Sequence, residues 1–201
     1  MRKFKKLIFI LIVLGGLFFL LVPKIFPENF QPPEILDLAQ KSDVIIIFNS
    51  GGWGNTLLEK AEDFNSVVKG IQDTLEEWGY KSVVLPYIRT KDNFLGKITA
   101  IKDFLTSFKF SSKKLAKEIE FLKDKFPDKK IILAGLCTGG AFFSETFKKI
   151  SPKKRDSIYL VVAGIPFWYK KINFQNILYL DNNGQDSLAT GNLKSLFSSL
   201  I

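Results

Sequence analysis

The feature that most constrains this chain is a short run, DVIIIF at residues 43–48, that stays apolar without alternation after its first residue. If such a run is a strand, it is buried on both faces, and it belongs in a sheet covered by helices on each side. The pattern recurs. KSVVLPYI (81–88), KIILAG (130–135), SIYLVVAG (157–164) and NILYL (176–180) read as further strands of the same kind. Helical stripes separate them. Leu57, Ala61, Phe64, Val68, Ile71, Leu75 and Trp78 follow one another at steps of three and four, with Gly79 as the stop, so Trp78 is expected in the core. Ile98, Ile101, Leu105 and Phe108 mark a second helix. Leu115, Ile119, Leu122 and Phe126 mark a third, closed by Pro127, and a fourth is expected from about Gly139 to Ile150. Leu193, Leu196, Phe197 and Leu200 keep helical spacing in the tail.

Strands alternating with amphipathic helices predict an α/β fold: a three-layer sandwich with a mainly parallel sheet of about five strands, over residues 43–201. Sheets of this kind carry their sites at the carboxyl ends of the strands. That selects four loops, NSGGWGN, YIRTKDN, LCTGG and DNNGQDS.

Residues 1–26 read differently. MRKFKK puts four positive charges ahead of LIFILIVLGGLFFLLV, a run of sixteen residues (7–22) without a charge. At 1.5 Å per residue a helix of that length spans about 24 Å, which the following PKIF extends. No small-x-small cleavage site follows, so the segment reads as an uncleaved transmembrane anchor. Its basic flank is expected in the cytoplasm and the rest of the chain outside. Residues 27–42, with three prolines, read as a semi-rigid linker holding about one helical turn, EILDLAQ.

Function classes can be excluded from composition. The net charge of +9 is spread as lysine, with arginine only at 2, 89 and 155, so the basic face and guanidinium forks of a nucleic-acid binder are missing. One cysteine and no histidine exclude a disulfide framework and the usual zinc sites, so no metal or other cofactor is expected. SGGWG lacks the spacing of a phosphate-binding loop.

GLCTGG, residues 135–140, lies between an apolar strand and a helix. Gly135 and Gly139, two before and two after Cys137, are what a tight strand-to-helix turn needs around a nucleophile. The helix that follows aims its amide dipoles at the thiol. In this stretch the chain resembles the α/β-hydrolase superfamily: G-x-C-x-G-G is similar to the dienelactone hydrolase branch, and FPDKKIILAGLCTGGA also looks like lipases and esterases that carry serine there. The resemblance covers roughly residues 43–190.

The resemblance implies that Cys137 is the nucleophile and that the amide of Thr138 forms half of an oxyanion hole. The other half would come from SGGWG, from Gly52 or Trp53. It also implies an acid in the loop after a late strand, where Gly184-Gln185-Asp186 makes Asp186 the first candidate and Asp181 the second. In the family a histidine follows one further strand. Neither is present in these 201 residues, so the domain is expected to be incomplete at its C-terminus or to have lost its chemistry. Two functions stand foremost, ahead of a third, a nucleotide or sugar-nucleotide binder using SGGWG. One is a membrane-anchored hydrolase of a small acyl ester or thioester. The other is a catalytically silent hydrolase-like domain that binds a ligand or partner at the cell envelope. FWYKK (167–171) is expected to pack in the core, to line an acyl pocket or to touch the membrane interface.

Overall fold

The computed structural model describes residues 33–181, 183 and 186–191, with positions 9, 13, 15–17 and 19 ahead of them. The expected anchor and the helical spacing of the tail therefore lie largely or wholly outside the described residues. Among those that are described, no helix is long and apolar enough to cross a membrane.

Five strands form one sheet: β1 (Val44–Asn49), β2 (Ser82–Pro86), β3 (Lys130–Leu136), β4 (Ile158–Ala163) and β5 (Ile177–Leu180). The order is β2-β1-β3-β4-β5 and every pairing is parallel. β1 is buried along its whole length, as its unbroken apolar run requires. Its side chains split between the two faces. Ile45 and Ile47 join one core with Leu115, Ile119, Phe142 and Phe147, whereas Val44, Ile46 and Phe48 join another with Phe64 and Val68. The first core is closed by α4 (Lys109–Lys125) and α5 (Thr138–Lys149), the second by α2 (Glu62–Glu77). Within residues 33–191 the chain also forms the helices α1 (Pro33–Lys41), α3 (Phe94–Leu105), the single turn α6 (Pro152–Arg155) and α7 (Ser187–Thr190).

Three local readings differ from the structure. The proline-rich segment holds the nine-residue helix α1 rather than one turn, and Ala39 on it is fully buried. Trp78 is not in the core: it caps the C-terminus of α2 and is 69% exposed, beside a groove of about 660 Å³ that Leu75, Tyr159 and Leu178 also line. Its stripe was measured from Leu57, but α2 starts only at Glu62, after a single 3₁₀ turn at Leu58–Lys60. Phe108 does not continue α3. Ser107 and Phe108 both take left-handed backbone, at φ 49° and 55°, and turn the chain into α4 with the Phe108 ring fully buried.

β1 and β3 are adjacent central strands, so the loops at their carboxyl ends meet. That meeting point is where the candidate site lies.

Candidate active site

Cys137 occupies the single residue between the end of β3 and the first residue of α5. Its backbone, at φ 52° and ψ −117°, is in a region that side-chain-bearing residues rarely enter. The conformation is fixed from both sides: the Cys137 N–H donates to Ala163 O on β4 at 2.8 Å, and Cys137 O accepts from Ala141 N at 3.1 Å. The flanking glycines permit the turn. A Cβ on Gly135 would meet the backbone of Gly140 at 2.7 Å, and one on Gly139 would run into the carbonyls of Asn49 and Ser50. Small residues at those two places let α5 start against the end of β1.

The backbone of Thr138 and that of Gly52 both bear on the Cys137 thiol and favour its thiolate. Of the two residues considered for the second amide, Gly52 is the one whose backbone bears on the thiol. The Trp53 carbonyl accepts from Thr90 Oγ1 at 2.7 Å, and its indole is 43% exposed. Gly52 needs its glycine backbone, since φ is +57°. Its carbonyl accepts from Thr138 Oγ1 and from Arg89 Nη2, each at 3.0 Å.

Asp186 lies close enough to Cys137 for its charge to act on the thiol. Its carboxylate sits over Gly164, where a Cβ would be 2.7 Å from Oδ2, and Oδ1 accepts from Ala189 N at 3.1 Å. It thereby caps α7. Asp181 stands further out, 43% exposed in its side chain and 4.0 Å from Lys171 Nζ. Gly184 and Gln185, which complete the loop pattern, lie outside the described residues.

The balance of these groups sets the thiol. Burial pushes the Cys137 pKa up, and the Asp186 carboxylate adds to that; the backbone of Thr138 and Gly52 and the Arg89 cation pull the other way without overcoming it. At neutral pH the resting group is the thiol. A small apolar cavity of about 250 Å³ flanks the amide pair, lined by Gly52, Trp53, Thr138, Arg89 and the α3 residues Ala100, Ile101, Phe104 and Leu105. FWYKK is divided: Phe167 and Trp168 pack edge to face at 4.9 Å and stay half exposed, whereas Tyr169 turns inward onto Phe108. No group of three or more His, Cys, Asp or Glu with metal-binding geometry occurs among the described residues.

Sequence reasoning passed over Arg89. Its side chain is 1% exposed and runs beneath the β1 loop. One signal was available: an arginine on a site loop of a chain that otherwise uses lysine.

No protein-family model matches this chain, and no curated protein matches it by sequence. Among solved structures it is similar to a Trichoderma reesei cutinase determined in complex with a C11Y4 phosphonate inhibitor. The TM-score is 0.51 at 16% identity, over 75% of this chain and 71% of the cutinase chain. The likeness is one of fold.

Proposed function

We propose that this protein is a hydrolase of small acyl esters or thioesters, with Cys137 as its nucleophile, held at the membrane by residues 1–26. The observation that carries the reading is the strained turn that sets Cys137 between the end of β3 and the start of α5. Strain of this kind costs about 1–3 kcal/mol and is typical of functional sites. The likeness to a cutinase supports the same class of reaction.

In this reading the Cys137 thiolate attacks the acyl carbon. A C–S bond forms, and the carbonyl oxygen becomes an oxyanion held by the N–H groups of Thr138 and Gly52. Collapse expels an alkoxide or thiolate, which takes a proton from solvent. Water then attacks the thioester and releases the acid. Donors fixed at the developing charge contribute about 3–4 kcal/mol each in such sites. The apolar cavity beside the amides, smaller than the ~300–1,000 Å³ of drug-sized sites, suits a short apolar acyl group. Asp186, whose charge reaches the thiol, is the residue assigned to orient a base, but these residues include no histidine, so the thiol ionises by its own equilibrium.

The pH dependence follows. A thiol whose pKa is raised loses its proton later than a free cysteine, whose value is about 8.5. Acylation by p-nitrophenyl acetate, read as an acetyl mass on Cys137, should therefore be slow at pH 7 and still climbing past pH 8.5. Cys137→Ala should abolish it. A plateau near neutral pH would mean that a base acts on the thiol. The raised thiol and the missing histidine favour a second reading, the silent binding domain. Iodoacetamide separates the two: a thiol that alkylates at high pH but never acylates would leave the silent domain as the answer.

A further inference from the structure

The geometry points to Arg89 as the positioning residue of the oxyanion pair: from behind the loop its guanidinium reaches the carbonyls of Gly52 and Thr138, the two residues assigned to that pair. This rests on the acyl-transfer reading of the site.

Burying a guanidinium is expensive, several kcal/mol even after relaxation, and a purely structural one is expected to form a close fork with its counterion. Arg89 does not. Its Nε stands 3.9 Å from Asp103 Oδ2, while the Asp103 carboxylate accepts from Ser111 Oγ at 2.8 and 2.6 Å. The terminal nitrogens go to the loops instead. Nη2 donates to Gly52 O at 3.0 Å, and Nη1 reaches Thr138 O at 3.5 Å, the long limit of a hydrogen bond. The Arg89 backbone N–H donates to Gly54 O at 2.8 Å, and its side chain lies so close under Gly54 that a Cβ there would meet Nε at 2.8 Å. One residue of the β2–α3 loop thus braces both sides of the amide pair. The guanidinium is itself held in place, with its carbon 4.8 Å from the Phe108 ring and 5.6 Å from that of Phe142. The left-handed corner at Ser107 and Phe108 is what puts the Phe108 ring there.

The reason for a cation at this point lies in the loop. The Gly52 N–H and carbonyl lie in successive peptide planes that hinge at this glycine, whose φ is +57°. Holding the carbonyl fixes the hinge and with it the direction of the N–H. A buried positive charge favours the orientation in which the carbonyl faces it. Arginine suits this because a rigid fork reaches two carbonyls, which a single ammonium cannot.

The test compares two reactions of Cys137 in the full chain. Acylation by p-nitrophenyl acetate passes through an oxyanion; alkylation by iodoacetamide does not. Rates are taken across pH, so that a changed thiol pKa is separated from a changed oxyanion hole. Arg89→Met should slow acylation of the thiolate about 100-fold, as for an ångström-scale misplacement, and alkylation less than threefold. Arg89→Lys keeps the buried charge and so guards against a variant that fails to fold; its acylation should lie between wild type and Arg89→Met. Equal losses in both reactions for Arg89→Lys, or no loss of acylation in either variant, would overturn the assignment and leave the acyl-transfer reading standing. A wild-type protein that alkylates but never acylates would overturn both.

Discussion

Cys137 holds its place in the site with a strained backbone. Side chains at φ 52° with ψ −117° crowd their own backbone, and only glycine is at ease there. The strain persists because Ala163 O, Ala141 N and the flanking glycines leave the turn no other path. An unusual order of stabilities follows. At most half-buried positions alanine is better than glycine, because glycine has more conformational freedom to lose. Here Cys137→Gly should be more stable than Cys137→Ala by about 1 kcal/mol, read as the higher urea midpoint at unchanged slope. The opposite order would mean that the turn is not strained. At this scale the sequence was legible where spacing is the signal, since glycines two residues to each side of a cysteine after a strand can be read directly. Arg89 was not legible in this way. Its partners are mostly backbone carbonyls, and a sequence does not mark which carbonyl a side chain will meet.

The strands were legible because burial on both faces leaves a run with no polar residue to interrupt it, and DVIIIF marks β1 to within a residue. The misread elements share a physical cause: periodicity continues past the point where the backbone stops. Phe108 keeps the stripe of α3 yet sits after its end, and Trp78 keeps the stripe of α2 yet is exposed at its cap. How closely a helix lies on its sheet is also unmarked, and α5 shows it. Gly140 faces β4 so closely that a Cβ there would overlap Val162 Cγ1, with Gly135 O next at 3.2 Å. Gly140→Ala gains helix propensity but must push α5 off the sheet, at a net cost of about 1–3 kcal/mol. The nearest obstacle is a side chain, so it can be removed. Gly140→Ala should cost at least 1 kcal/mol less in a Val162→Ala background than alone, as urea denaturation of the four-protein cycle would show. Strict additivity would mean that α5 yields without touching β4.

Across the whole molecule, the site sits where a parallel sheet puts it, at the carboxyl ends of adjacent strands β1 and β3, with the β2 loop beneath and Asp186 arriving after β5. What brings this site to its substrate is proposed from the first 26 residues. Residues 7–22 comprise fourteen Leu, Ile, Phe and Val and two Gly. At about −0.3 to −0.6 kcal/mol for each such apolar residue, the run favours insertion by roughly 4–8 kcal/mol. The four charges ahead of it should stay in the cytoplasm. A lysine near the middle of such a run costs about 2.5–3.5 kcal/mol in addition to the apolar contribution it removes. Two lysines therefore cancel the whole preference. Membranes from cells making the full chain should retain it through an alkaline carbonate wash, and Ile12→Lys with Leu17→Lys should release it. Protease added outside intact spheroplasts should digest the wild-type domain. Release of the wild-type chain by carbonate would refute the anchor, and retention with full protection from protease would refute its orientation.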